Sequence, residues 1–260
     1  MAHPENPRSN HLLDALPDAD RQRWRCHLER VDLSLGQVLF EPDRPQLHAY
    51  FPTSAIVSLQ CLLRSGATSE IAVVGNEGVV GTSLFLGGAT TITHCAVLVE
   101  GQGYRVEAQV VRDEFDQFDS VRRLFLRYTQ ALLTQIAQAA VCNRHHTIDQ
   151  QVCGWLLHSL DRLLGAEVVV TQELLASMLG VRREGVTEAA LKLQKAGLIR
   201  YARGHITALD RPGLEARSCE CYAVVKKEYD RLLPQGPAER PATPRRWAWP
   251  ASVSVALAAV

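Results

Sequence analysis

Between Thr171 and Leu198, charged and hydroxyl side chains recur on one side of an apolar pattern, and their chemistry suits nucleic acid. Arg183 offers a planar guanidinium fork that matches the N7 and O6 acceptors of guanine. Glu184 can accept from a cytosine amine or hold Arg183 in place. Arg182, Lys192, Arg200 and Arg203 read as phosphate contacts, which set affinity and salt dependence without reading sequence. Thr171 and Thr187 complete the candidate set with Glu188. A carboxylate at Glu188 would repel phosphate, so it either reads cytosine or orients a neighbouring arginine.

Two helices must hold this set. Thr171 can cap the first, with Gln172 and Glu173 in a first turn that favours acidic and polar groups. Leu174, Leu175, Met178 and Leu179 give an apolar face, and Ala176 is small where two helices cross. Gly180 falls where the chain must turn sharply, in a backbone region that only glycine enters cheaply. The second helix is predicted from Arg182 to about Ala196, burying Val186, Ala189, Ala190 and Leu193, with Gly197 as its stop. Ile199–Leu209 reads as a hairpin around Arg203-Gly204. Helix, glycine-containing turn, helix and hairpin is the pattern of a winged helix-turn-helix, whose second helix enters the major groove. The bland alternative is a helical hairpin with no nucleic-acid role.

The rest of the chain supplies a different texture. Residues 11–30 read as a short helix. From Val31 to Val111, short β-rich runs (Gln37–Phe40, Ala55–Leu63, Ile71–Val74, Cys95–Val99, Gly103–Val106) alternate with turn residues, which suggests a small antiparallel roll or sandwich. Near Arg112 the period becomes helical. Leu124, Phe125, Tyr128, Leu132 and Ile136 recur at three- and four-residue steps and form a seam wide enough to be half buried against the roll and half against a second copy, a candidate dimerisation seam; the alternative is one long core helix in a monomer. Asp113, Glu114 and Asp116 read as the acidic start of this helix. Thr147-Ile-Asp-Gln150 resembles a capping box opening a further helix to Leu164. The Pro- and Ala-rich tail from Pro234 is expected to be disordered.

Composition narrows the classes. The 260 residues are 47% apolar and 22% charged with net charge +0, so binding to nucleic acid would depend on placed charges. Residues 147–233 hold 12 Lys/Arg against 11 Asp/Glu. The N-terminus shows no apolar core of a signal peptide, and no run approaches a membrane span, so a cytoplasmic protein is expected. Seven scattered cysteines fit free thiols in a reducing compartment. Cys142, His145, His146 and Cys153 form a loose set that zinc, haem or redox chemistry could use, but their spacing is no recognised metal motif, and no metal is assigned. Cys219-Glu-Cys221 is too close-set for the usual structural zinc pattern and reads as packing. No nucleophile elbow, phosphate loop or His-Glu-x-x-His motif is present, so an enzyme is not expected.

The whole arrangement resembles the Crp/Fnr superfamily of bacterial regulators over roughly residues 10–233, most strongly in Leu175–Ile199, where Val181-Arg-Arg-Glu-Gly-Val186 is similar to the opening of that family's recognition helix. The resemblance implies an α+β chain: a cyclic-nucleotide-binding-like antiparallel β-roll (jelly-roll-like) at 10–111, a long dimerisation helix at 112–146, a winged helix-turn-helix at 147–233 and a tail at 234–260. It makes Arg183 and Glu184 base readers, with Glu188 a departure. It also places an effector pocket at Asn76, Glu77, Gly78, Val79 and Gly81, with Thr91 and Thr93. Cyclic-nucleotide binders hold the phosphate with an arginine after the Gly-Glu turn, and no Arg or Lys occurs from Gly75 through Gly103. A buried phosphate without a cation would be costly, which speaks against cyclic AMP. An iron–sulfur cluster is also disfavoured, since only Cys26 lies in the first sixty residues.

The expectation is therefore a homodimeric DNA-binding regulator of the Crp/Fnr type with a pseudo-palindromic operator, an effector other than cyclic AMP, and RNA polymerase as a candidate partner. The alternative is a sensor that acts through protein contacts with a repurposed winged helix.

Overall fold

The computed structural model describes residues 6–163 and 165–233; the tail expected from Pro234 lies outside them. In place of one helix over 11–30 there are two, α1 (His11–Asp14) and α2 (Asp18–Trp24). Pro17 separates them, since a residue without an N–H and with fixed φ starts a helix better than it continues one. Asn10 caps α1 through Oδ1, and its Nδ2 donates to the carbonyls of Pro52 (2.8 Å) and Gly78 (2.9 Å). The amino-terminal helices are thereby tied to the β-roll.

Seven antiparallel strands build the roll: β1 (Glu29–Leu33), β2 (Val38–Phe40), β3 (His48–Pro52), β4 (Ile56–Leu62), β5 (Thr68–Val74), β6 (His94–Val99) and β7 (Gly101–Glu107). One sheet has the order β1-β7-β3 and the other β2-β6-β4-β5. β1 and β3 are not apparent from the sequence: β1 is a mostly exposed edge strand carrying Glu29, Arg30 and Asp32, and β3 ends in proline. The second sheet is covered on both faces. Alternate side chains along its strands enter two cores, Val57, Ala72, Val74 and Val97 into the roll interior, and Ile56, Val73 and Leu98 into the core of the C-terminal half. This double burial explains the almost continuous apolar run from Ala55 to Leu59, while Leu62 and Leu63 beyond it are exposed.

The helical stretch begins earlier than the sequence suggests, with α3 (Ala108–Gln117), then breaks at extended Phe118 before α4 (Asp119–His145). Asp113, Glu114 and Asp116 thus lie in the second half of α3 and do not open it. Glu114 is buried and accepts from Trp24 Nε1 (2.9 Å) and Arg23 Nη2 (3.0 Å). The seam packs on the roll as expected, and its dimer half needs correction. Leu124, Phe125, Tyr128 and Leu132 are buried in the chain's own first core, and Ile136 packs against it. They face the roll and α9 (Glu220–Leu232), whose Val225 and Tyr229 join the same core. The exposed apolar residues of α4 are instead Leu126, Leu133 and Val141.

Thr147 and Gln150 form the expected capping box for α5 (Ile148–Arg162). The winged helix follows: β8 (Glu167–Val169), α6 (Gln172–Leu179), α7 (Arg183–Lys195), β9 (Ile199–Ala202), β10 (His205–Ala208) and α8 (Arg211–Arg217), with sheet order β8-β10-β9.

One buried ion pair joins the halves. Arg162 Nε of α5 donates to Glu77 Oε1 at 2.8 Å, in the turn after β5, and both side chains are about nine-tenths buried or more. Glu77 also accepts from the Gly75 N–H, while Arg162 Nη1 donates to the His158 carbonyl (2.7 Å). Burial alone would lower the Arg162 pKa, but Glu77, helped by Tyr229 and Asp161, raises it overall. Removing one member leaves a buried charge. Arg162→Ala should lose about 3–5 kcal/mol in urea unfolding, while the double change Glu77→Gln/Arg162→Met should lose much less. Equal losses would show that the pairing is not what stabilises this turn.

Candidate nucleic-acid interface and effector region

The local chemistry that shapes the helix pair is as the sequence suggests. Thr171 Oγ1 accepts from the Leu174 N–H (3.1 Å) and caps α6. Gly180 ends it at φ 64°, with its N–H bonded back to Ala176 and Ser177 carbonyls. On α7, Val186, Ala189, Ala190 and Leu193 are buried, which turns the other face outward. Arg182, Arg183, Glu184, Glu188 and Lys192 are all exposed there. Arg183 is 64% exposed and its nearest acid, Glu173, is 3.9 Å away, so its fork is held loosely.

Two of the set are already engaged. Lys192 Nζ lies 3.0 Å from Glu188 and 3.5 Å from Asp149 on α5, and these carboxylates raise its pKa, Glu188 foremost. Glu188 therefore pairs one turn along its own helix. Thr187 is half-buried and donates to Gln172 Oε1 (2.7 Å), bracing α7 on α6.

Arg203 and Gly204 form the two-residue turn of the wing, at φ 51° and 82°. Positive φ at both positions is what a tight, twisted hairpin demands. Arginine there stands in a strained conformation and is exposed at the tip; Arg200 is exposed on β9. Between α7 and the wing lies a cleft of about 310 Å³, lined by Gln172, Thr187, Gln194, Tyr201, Arg203 and Gly204. Gln172, Gln194 and Tyr201 are not among the site residues that the sequence suggests. Gln194 Oε1 accepts the Tyr201 N–H (2.9 Å) and Tyr201 Oη donates to the Val170 carbonyl (3.3 Å), contacts that no periodicity signals.

The effector candidates fall into two groups. Asn76, Glu77, Gly78, Val79 and Gly81 lie in one turn that the chain itself holds. Tyr128 Oη of α4 donates to the Val79 carbonyl (3.0 Å), and a Cβ on Gly78 would stand 2.3 Å from the Tyr128 ring. Glu77 is taken by Arg162, and the Asn76 carbonyl accepts from the His11 N–H (2.7 Å). Thr91 and Thr93 make other contacts: the Thr91 carbonyl accepts from Asp43, and its hydroxyl accepts from the Thr93 N–H.

The roll and the helix pair also meet directly. Thr68 and Ser177 hydroxyls hydrogen-bond at 2.7 Å, linking β5 to α6. Glu70 on β5 accepts from Trp155 Nε1 of α5 (3.0 Å) and from Ser58 Oγ (2.6 Å). Burial pushes the Glu70 carboxyl up to about 7, against the opposing pull of those two donors and of Arg162.

The described residues thus form a winged helix-turn-helix hung by a long helix on an antiparallel β-roll and docked against it. Residues 150–217 match the sequence model of the Crp-like helix-turn-helix domain. Solved structures of similar fold include FixK2 from Bradyrhizobium japonicum (TM-score 0.65, 16% identity, covering 74% of this chain and 98% of that one). A Crp/Fnr-family transcriptional regulator from Thermus thermophilus gives 0.60 at 20% identity, over 73% and 98%. The c-di-GMP-responsive regulator CLP of Xanthomonas campestris gives 0.59 at 17%, over 75% and 100%. A search of curated protein sequences returns no match. The chain thus carries a Crp-like helix-turn-helix domain on the fold of the Crp/Fnr regulators.

The junction carboxyl yields a pH prediction. Folded Glu70 keeps its proton up to about 7, while an unfolded glutamate loses it near the ordinary value of 4.5, so this group subtracts stability as pH rises between them. Glu70→Gln, which keeps an acceptor for Trp155, should match the native chain near pH 4. It should gain on it through pH 5–7 and stay ahead by on the order of 1–3 kcal/mol above that range. A difference in unfolding midpoint that did not change with pH would refute this assignment.

Proposed function

We propose that the chain is a sequence-specific, DNA-binding transcription regulator that works as a homodimer in the cytoplasm. The observation that carries this is α7: one face is packed into the core, and the other presents Arg182, Arg183 and Glu184 beside a wing tipped by Arg203. Arg183, loosely held and at the start of the helix, is placed to read guanine in the major groove. Arg182, Arg200 and Arg203 flank it as phosphate contacts. Glu188 and Lys192 neutralise each other on the far turn, so the carboxylate that would repel a phosphate is locally compensated. The alternative of a winged helix repurposed for protein contact rests on the near-neutral charge and on Glu188, and that pairing weakens the second ground.

The dimer uses the outer stripe of α4. Leu126, Leu133 and Ala140 recur at seven-residue spacing with Ala137 and Val141 beside them, and Leu126, Leu133 and Val141 are 46%, 60% and 45% exposed. Such a stripe suits a two-fold helix pair, which would present two recognition helices to half-sites about one DNA turn, ~34 Å, apart. The effector is one other than cyclic AMP, since the Glu77 turn is already neutralised by Arg162 and filled by Tyr128.

Titration of a selected operator in fluorescence anisotropy tests the reader. Arg183→Ala should weaken binding by roughly 1–3 kcal/mol and relax preference at one base pair, and Arg203→Ala should weaken all sequences alike and reduce the salt slope by about 1. Unchanged base preference in Arg183→Ala would remove α7 from the reading role. Leu133→Glu should give a monomer in sedimentation and lose operator affinity; a dimer that survives this change would place the interface elsewhere.

A further inference from the structure

Four metal-ligating side chains that are scattered in the sequence meet at the junction of α4, α5 and α9. Cys142 lies in the last turn of α4, and His146 is its extended C-cap. Cys219 is the N-cap of α9 and Cys221 lies in its first turn. One ligand atom from each of the four falls within 4.8 Å of all the others. Cys142 Sγ is 3.5 Å from Cys219 Sγ, and Cys221 Sγ is 3.5 Å from His146 Nδ1. His145 is exposed and Cys153 lies deep in the second core, so the set suggested by spacing alone is half replaced.

We propose that Cys142, His146, Cys219 and Cys221 form a tetrahedral Zn²⁺ site. Zinc bound at about 2.3 Å to sulfur and about 2.0 Å to nitrogen places neighbouring ligand atoms roughly 3.5–3.8 Å apart. Two of the contacts already have that length, and the widest separation needs a contraction on the order of 1 Å to reach it. Three thiolates and an imidazole are soft and borderline donors that select zinc over magnesium or calcium. Cys219 and Cys221 are both 5% exposed, which keeps water away from a closed structural site. The thiolates at the start of α9 also gain from the positive end of that helix.

The imidazole is oriented for this role. With Nδ1 toward Cys221, its Nε2 lies 3.4 Å from Glu220 Oε2, the carboxylate–histidine arrangement that fixes a metal-binding ring. Gln151 Nε2 donates to the carbonyls of Cys142 (3.3 Å) and His146 (3.0 Å), which holds the end of α4 in place. Zinc would displace the thiol protons and clamp both chain connections of the winged helix, since residues 147–218 form the loop it closes.

Elemental analysis of the full chain, purified under reducing conditions, tests this, together with the visible spectrum after replacement by Co²⁺. The expected result is about one zinc per chain and tetrahedral thiolate bands with cobalt. Cys26→Ser and Cys61→Ser should leave both unchanged, and Cys219→Ser should abolish them. His146→Ala should weaken binding at least tenfold, while His146→Cys should retain the metal and intensify the sulfur-to-cobalt bands; this separates loss of a ligand from loss of fold. A folded, reduced chain that takes up neither metal would overturn the proposal. So would a Cys142–Cys219 disulfide in the isolated protein that still binds no metal once reduced, or zinc content indifferent to Cys219→Ser.

Discussion

Glu77 sits in a turn of the β-roll and Arg162 ends the first helix of the C-terminal half, and neither charge can be left alone where it is. A carboxylate and a guanidinium withdrawn from water cost several kcal/mol each unless they meet with good geometry. Their meeting fixes much else. Gly75 has no side chain because the Arg162 stem passes where a Cβ would be, at 2.9 Å, and Gly78 has none because Tyr128 fills that space. Tyr128 then bonds the Val79 carbonyl, and Gln135 donates to the Val73 carbonyl while accepting from Tyr229 of α9. One short turn is thus felt by α4 and α5 directly, and by α9 at one remove.

The four-stranded sheet of the roll imposes the second constraint. Its strands alternate between two cores, so a residue such as Val73 belongs to the reader's packing while Val74, next to it, belongs to the roll's. The reader is therefore not a body on a tether. Any change in the roll that shifts β4 or β5 must repack Ile56, Val73 and Leu98 against the reader, and close-packed interiors respond to such shifts by stepping between arrangements. The polar groups of the same contact differ in access: the Thr68–Ser177 bond is exposed to water, whereas Glu70, bonded to Trp155, is withdrawn from it.

What the sequence made legible tracks the range of the interactions involved. Thr171, Gly180, the buried face of α7 and the Arg203-Gly204 turn are local features, each decided within a few residues, and they are found where spacing puts them. The inner strands β4 and β6 are legible because they are mostly apolar. The charged edge strand β1 and the proline-ended β3 are not, since distant partners make them strands: β7 for both, and Val80 for Tyr50 of β3. The seam of α4 misleads for a related reason. Helical periodicity shows that a face is buried but not by what, and Leu124, Phe125, Tyr128 and Leu132 are covered by the roll and α9 of the same chain. Arg162 as partner of Glu77, 85 residues away, and Cys219 beside Cys142, 77 away, have no signal in a single sequence.

The path of the chain gives these contacts a mechanical meaning. The reader leaves α4 at His146 and returns to α9 at Cys219, and α4 and α9 pack along each other. Its entrance and exit are therefore one point, and the reader is in effect an insertion between two helices of the first core. A body held at one point can turn about it. What limits the turn is the second contact, against β4, β5 and β6, together with the Glu77–Arg162 pair. Any displacement of α7 relative to the roll must therefore involve the pivot, the sheet contact, that ion pair or Tyr222 of α9, which packs in the second core and donates to Asp161 of α5.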